Sequence, residues 1–81
     1  MNGETNRGRL TQSPDQMFWR RVAAGLSQHD AAVAVSIDPA TLSRIERGRT
    51  SAKPPVLAAL ASLYECDITD LMAQNPAGKV A

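Results

Sequence analysis

Helix-start signatures recur along this chain at short intervals. Ser13-Pro14-Asp15-Gln16, Ser27-Gln28-His29-Asp30 and Asp38-Pro39 each set an oxygen-bearing cap before a first turn, and two of them place proline at the first helical position. Pro54-Pro55 opens a further segment, and Asp67 caps a last turn. A chain punctuated this often has room only for short helices.

The apolar residues between the caps fit that reading. A first helix is expected over about 14–24, ended by Gly25, and a second over about 28–35, with Ala31, Ala32 and Val35 as its stripe. A third runs over about 39–47 and stops at Gly48. In the fourth, Val56, Leu57, Leu60, Ala61 and Tyr64 fall on one face, and Ile68, Leu71 and Met72 sit in the last turn. With 81 residues, a hydrophobic fraction of 43% and one each of Phe, Trp and Tyr, the core rests on aliphatic residues. The expected fold is all-α, a compact bundle of five short helices. Residues 1–12 read as a flexible arm whose Arg7 and Arg9 can touch phosphate, 13–73 as the domain, and 74–81 as a flexible tail.

Several classes are set aside by composition. One cysteine, Cys66, allows no internal disulfide, and one histidine leaves no cluster with metal-site spacing, so neither metal nor cofactor is expected. No apolar run approaches the roughly 20 residues that cross a bilayer. The start MNGETNRGR lacks the apolar centre of a secretion signal, so a cytoplasmic protein with no membrane partner is expected.

The net charge of +1 is unevenly distributed. Between Pro39 and Lys53, Arg44, Arg47, Arg49 and Lys53 oppose Glu46 alone, whereas Pro54 to Gly78 holds only Glu65, Asp67 and Asp70. One stretch is suited to anions and the next is not. The interval from Gln28 to Arg47 also has the spacing of two crossed helices joined by a tight turn: small Ala32 at the crossing, Ile37 buried after the turn, Leu42 and Ile45 facing inward. Spacings of three and four then turn Pro39, Ala40, Ser43, Arg44 and Arg47 outward. Short residues near the N-terminus and long cations beyond suit entry into a DNA major groove, where an Arg44 fork meets guanine O6 and N7 and Ala40 with Thr41 meets a thymine methyl.

The segment SQHDAAVAVSIDPATLSRIERGR resembles the Cro and lambda-repressor type (XRE-like) of helix-turn-helix, in which Ser27, Gln28, Ala32, Thr41, Ser43, Ile45, Glu46 and Gly48 match the common pattern and Ile37 and Leu42 are conservative replacements. The likeness extends over about Pro14 to Ala73, since LAALASLYECDITDLM is similar to the closing segment of that family. The resemblance implies a lambda-repressor-like DNA-binding domain. It implies that Gln28 donates to a phosphate and braces the start of the third helix, and that Pro39, Ala40, Ser43 and Arg44 face bases. Arg47, Arg49 and Lys53 then lie along the backbone, and Arg21 pairs with Glu46.

Three positions depart from the pattern. Ser36 replaces a glycine that is usually left-handed, which demands either a different turn or modest strain. Ala31 replaces a common leucine and thins the core, and Pro39 replaces a polar base-reading residue, which shifts specificity toward Arg44 and DNA shape.

Other residues are explained without chemistry. Glu46 has no second carboxylate or histidine to work with, so an enzyme is not expected and the ion pair with Arg21 accounts for it. His29 is expected at the surface, and Cys66 is expected to fill space between the last two helices with no basic neighbour to activate it. Phe18 and Trp19, about 100° apart on one helix, are expected to divide between core and surface. Leu71 and Met72 suggest a dimer contact near the last helix, because one such domain reads few base pairs. The expected function is a homodimeric, sequence-specific regulator, a repressor on a short palindromic operator in double-stranded DNA. The alternative is a protein-interaction module of the same fold, such as an antitoxin or a polymerase-binding regulator, with Trp19 and the acidic helices as contact.

Overall fold

Every expected cap begins a helix. The computed structural model describes residues 11–73, in which α1 spans Pro14–Ala23, α2 Gln28–Ala34, α3 Pro39–Glu46, α4 Pro54–Tyr64 and α5 Ile68–Leu71. The fold is all-α, a bundle of five short helices. The arm up to residue 10, with Arg7 and Arg9, and the tail from residue 74 lie outside the described residues.

Side-chain oxygens satisfy the free N–H groups at three starts. Ser13 Oγ accepts from the Gln16 amide at 3.3 Å, Ser27 Oγ from Asp30 at 3.0 Å, and Asp38 Oδ1 from Ala40 at 2.9 Å. At α5 the carboxylate of Asp70 reaches back to the Asp67 amide at 3.0 Å. The first three helices each stop one residue earlier than the periodicity suggests, because Ala24, Val35 and Arg47 act as caps.

The core gathers one face from each helix: Met17, Ala31 and Ala32, Leu42 and Ile45, then Leu57, Leu60, Ala61 and Tyr64, and Leu71. Ala52 joins from the loop before α4. Ala31 and Ala32 are fully enclosed, so the small residues of α2 let α3 cross it closely. Ile37 is only partly buried and packs against the rim of this cluster.

Two expectations change. Neither Phe18 nor Trp19 enters the core, the two being 40% and 60% exposed, and Met17 takes the inward position instead. The rotation of α1 explains this: Met17 and Arg21, four residues apart, share the inner face, where Arg21 must meet Glu46. Phe18 then lies along the edge, 5.5 Å from the Arg21 guanidinium, and Trp19 stacks edge-on against it at 5.0 Å.

The folded part also begins before Ser13. Gln12, placed in the arm by composition, is completely buried and forms an isolated bridge with Met72. Ser13 donates to the carbonyl of Leu71 at 2.8 Å and Ala73 to that of Thr11 at 3.0 Å, so residues 11–13 lie as a strap along the end of α5. A polar side chain gave no hydrophobic signal by which to find it.

The turn between α2 and α3 takes the strained alternative: Ser36 is left-handed at φ 62°. Glu65 does the same at φ 57° after α4, where its amide caps the carbonyls of Ala61 and Ser62.

Candidate nucleic-acid interface

Helix α3 has two unlike faces. Leu42 and Ile45, at 0% and 1% exposure, fix one against the core. Ala40, Arg44 and Arg47 are exposed on the other, with Pro39, Thr41 and Ser43 half-buried between the two. Burial of the aliphatic pair thereby orients the arginines, since each leucine-sized side chain contributes about 1.5–3 kcal/mol when enclosed.

The exposed side is cationic beyond the helix as well. Arg49 and Lys53 are exposed in the loop that joins α3 to α4. Arg44 Nη2 donates to Thr41 Oγ1 at 3.3 Å, one turn back along α3. That contact leaves most of the guanidinium fork free at the surface.

Behind the helix lies a clamp. Arg21 Nε donates to Glu46 Oε2 at 2.6 Å and Nη2 to Oε1 at 3.1 Å, a bidentate pair with side-chain exposures of 11% and 4%. Arg21 Nη1 donates to the carbonyl of Leu26 at 2.8 Å, tying the turn between α1 and α2 to the same group. Hydrogen bonding to Glu46 is the largest influence on Arg21 and raises its already high pKa against the opposing effect of burial. The guanidinium therefore stays charged at any working pH.

Gln28 sits at the first position of α2 and its Nε2 donates to Glu46 Oε1 at 3.0 Å. The family resemblance puts this brace at the start of the recognition helix, but the contact is made with the last residue of α3. One of the two amide hydrogens remains for another acceptor. Pro39 occupies the first turn of α3, where it has no N–H to offer a ligand.

The other singled-out residues lie away from this face or have no chemistry there. His29 is exposed. Cys66 packs partly against the core, and burial pushes its thiol pKa up even though Arg20 acts in the opposite direction. Arg20 is the basic neighbour that sequence spacing failed to reveal. It also forms an exposed pair with Asp70 at 3.7 Å. Among the described residues no group of three or more metal-ligating side chains is found, and no helix is long and apolar enough to cross a membrane.

No curated protein and no solved structure matches the chain. A family model described as a helix-turn-helix domain matches residues 18–74, which is most of the chain and takes in the crossed pair α2 and α3. Motifs of this kind lay their second helix in the major groove. With the basic face of α3 turned outward behind a buried Arg21–Glu46 clamp, the chain belongs to the helix-turn-helix domain family, which points to a DNA-binding regulator.

Proposed function

We propose that the protein is a sequence-specific regulator of transcription, a repressor that binds a short palindromic operator as a homodimer, with α3 in the major groove. The observation that carries this reading is the outward display of Ala40, Arg44 and Arg47 on a helix whose opposite side is locked by Leu42 and Ile45. Arg44 reads a guanine through O6 and N7, and Ala40 with Thr41 meets a thymine methyl. Pro39 supplies shape, and Ser43 bonds a base or a phosphate. Arg47, Arg49, Lys53 and the spare hydrogen of Gln28 neutralise or bond the backbone.

Dimerisation follows from the small number of base pairs one domain covers. Leu71, expected at this contact, is buried in the core, so Met72 and Ile68, exposed around α5, supply the apolar surface for it. The working compartment is the cytoplasm, where the DNA of a regulator of this kind lies. Selection of bound fragments from a random duplex library tests the reading. A two-fold symmetric consensus supports it, and failure to enrich any sequence at low salt ends it.

A second reading is favoured by one observation. Trp19 is 60% exposed and braced by Phe18, a rigid aromatic of the kind that anchors protein partners. In that reading the same fold binds a protein, as an antitoxin or a polymerase-binding regulator does, and capture of the partner is lost with Trp19→Ala but survives Arg44→Ala.

A further inference from the structure

We propose that Gln12 is a positioning residue for the DNA-backbone contact, holding the loop that carries Arg49 and Lys53 in register with the end of α3. The proposal rests on the DNA-binding reading above. Its basis is a set of hydrogen bonds that converge on one side chain. Gln12 Nε2 donates to the carbonyl of Ile45 at 3.0 Å and to that of Thr50 at 2.8 Å, while Oε1 accepts from the Ala52 amide at 2.9 Å. Both amide hydrogens and the oxygen are therefore spent on backbone, and the side chain is sealed from water.

The partners lie on two elements. Ile45 is in the last turn of α3, where its carbonyl also accepts from the Gly48 amide at 3.1 Å, and Thr50 with Ala52 belongs to the loop before α4. Ala52 is itself buried, whereas Arg49, Thr50, Ser51 and Lys53 around it are exposed. Among the described residues, only the Gln12 side chain links the loop backbone on both sides of Ser51 to the end of α3 in one stroke. Its own backbone is held at the other end, through the bonds of Ser13 to Leu71 and of Ala73 to Thr11. The strap is thus fixed to α5 and grips the loop.

Without this side chain, the Thr50 carbonyl and the Ala52 amide of the loop lose their buried partner and turn toward water, while the Ile45 carbonyl on α3 keeps only the Gly48 amide. The loop leaves its place, and Arg49 and Lys53 leave with it. A preset loop presents both cations to phosphates without the ordering cost that a mobile one carries into binding. Base reading by Arg44, one turn before the loop and anchored by Leu42 and Ile45, is spared.

A double-mutant cycle separates positioning from mere stability. Duplex affinity is measured on the consensus selected by the parent, at a temperature where thermal melts show every variant folded, for the parent, Gln12→Met, Lys53→Ala and the double variant, and again with Arg49→Ala. The expected result is that Gln12→Met weakens binding roughly tenfold and flattens the salt dependence by about one to two phosphates, each about −0.9 in slope. Sequence preference is expected to be unchanged, and Lys53→Ala and Arg49→Ala to cost several-fold less in the Gln12→Met background than in the parent. If the costs of Gln12→Met and the loop substitutions multiply independently, or if Gln12→Met lowers the melting temperature with affinity and salt slope intact, positioning is overturned while DNA binding stands. If the parent itself binds no duplex, the DNA reading falls and the positioning role falls with it. Should Gln12→Met not fold, Gln12→Asn carries the same cycle, since it keeps the uncharged amide but draws it back by one methylene from the loop carbonyl and amide.

Discussion

Glu46 receives Arg21 across the helix bundle in a bidentate pair, 2.6 Å from Nε and 3.1 Å from Nη2, and thereby pins the last residue of α3 to α1. The same carboxylate takes the amide of Gln28 at 3.0 Å, so three helices meet on one side chain. Helix α3 is held on its inner side by Leu42 and Ile45 and at its end by this pair. Neither constraint uses the outer residues, which leaves them free to differ without harm to the fold.

Removing one partner of a buried pair leaves the other charge uncompensated, at a cost of about 3–5 kcal/mol. Glu46→Ala is therefore expected to destabilise by about 3 kcal/mol, which for a domain of this size lowers the melting temperature by well over ten degrees, about 4–8 °C per kcal/mol. The double variant Arg21→Met with Glu46→Leu is expected to cost less than Glu46→Ala alone, because no charge is stranded. Chemical denaturation of the three proteins checks this. Equal or greater loss in the double variant shows that the pair contributes by attraction and not only by mutual neutralisation.

Ser36 occupies a left-handed conformation that glycine adopts without a steric penalty. Ser36→Gly is expected to raise stability by about 0.5–1 kcal/mol, the relief of strain exceeding the added freedom of the unfolded chain. Ser36→Val is expected to lower it. Urea midpoints for the three proteins decide, and a less stable Ser36→Gly shows that the serine makes a compensating contact. DNA affinity is expected to follow neither change, since Ser36 lies in the turn behind α3.

Most of the scaffold was legible because caps and prolines act locally. Ser27 and Asp38 determine helix starts through bonds to residues two or three positions away, and Pro39 through its fixed φ, and these can be read from adjacent letters. The aliphatic face of α4 was equally plain from its period. What could not be read was the rotation of α1. Its apolar letters, Met17, Phe18, Trp19 and Val22, surround the helix, and the decision falls to Arg21, whose partner lies 25 positions away. Gln12 was hidden for the same reason: its partners are backbone atoms 33 to 40 residues distant, to which no residue type gives a clue. The exposure of Ala40, Arg44 and Arg47 followed from the inward residues of α3, whereas Pro39 and Ser43, expected outward as well, are half-buried.

Arg44 and Lys53 are expected to fail differently when truncated. Arg44→Ala is expected to cost about 1–3 kcal/mol on the preferred operator and to relax choice at one base pair, whereas Lys53→Ala weakens all duplexes alike and lowers the salt slope by about one. Titrations of a matched and a scrambled duplex over a range of salt distinguish the two patterns. An Arg44→Ala protein with undiminished selectivity removes Arg44 from base reading.

The alkaline limit of the fold should be set in part by Tyr64, the chain's single tyrosine. Burial first, and then the negative charge of Glu46, push its pKa up from the usual 10 to about 12, against a smaller opposing pull from Arg21. Its hydroxyl is enclosed and has no hydrogen-bond partner among the described residues. The folded state thus holds this proton more tightly than the unfolded chain, and the stability it contributes is complete below pH 10 and is lost as the pH climbs through 12. Tyr64→Phe removes both an orphaned hydroxyl and a titration. It is expected to be more stable than the parent at neutral pH by about 1 kcal/mol, since an unsatisfied buried polar group costs about 1–3 kcal/mol. Its advantage should widen further between pH 10 and 12, where only the parent ionises at this site. Melting both proteins across that range, with the phenolate absorbance of the parent followed alongside, provides the check: a phenol that titrates near 10 in the folded protein, or a gap between the two melting curves that narrows with rising pH, contradicts the enclosed position of Tyr64.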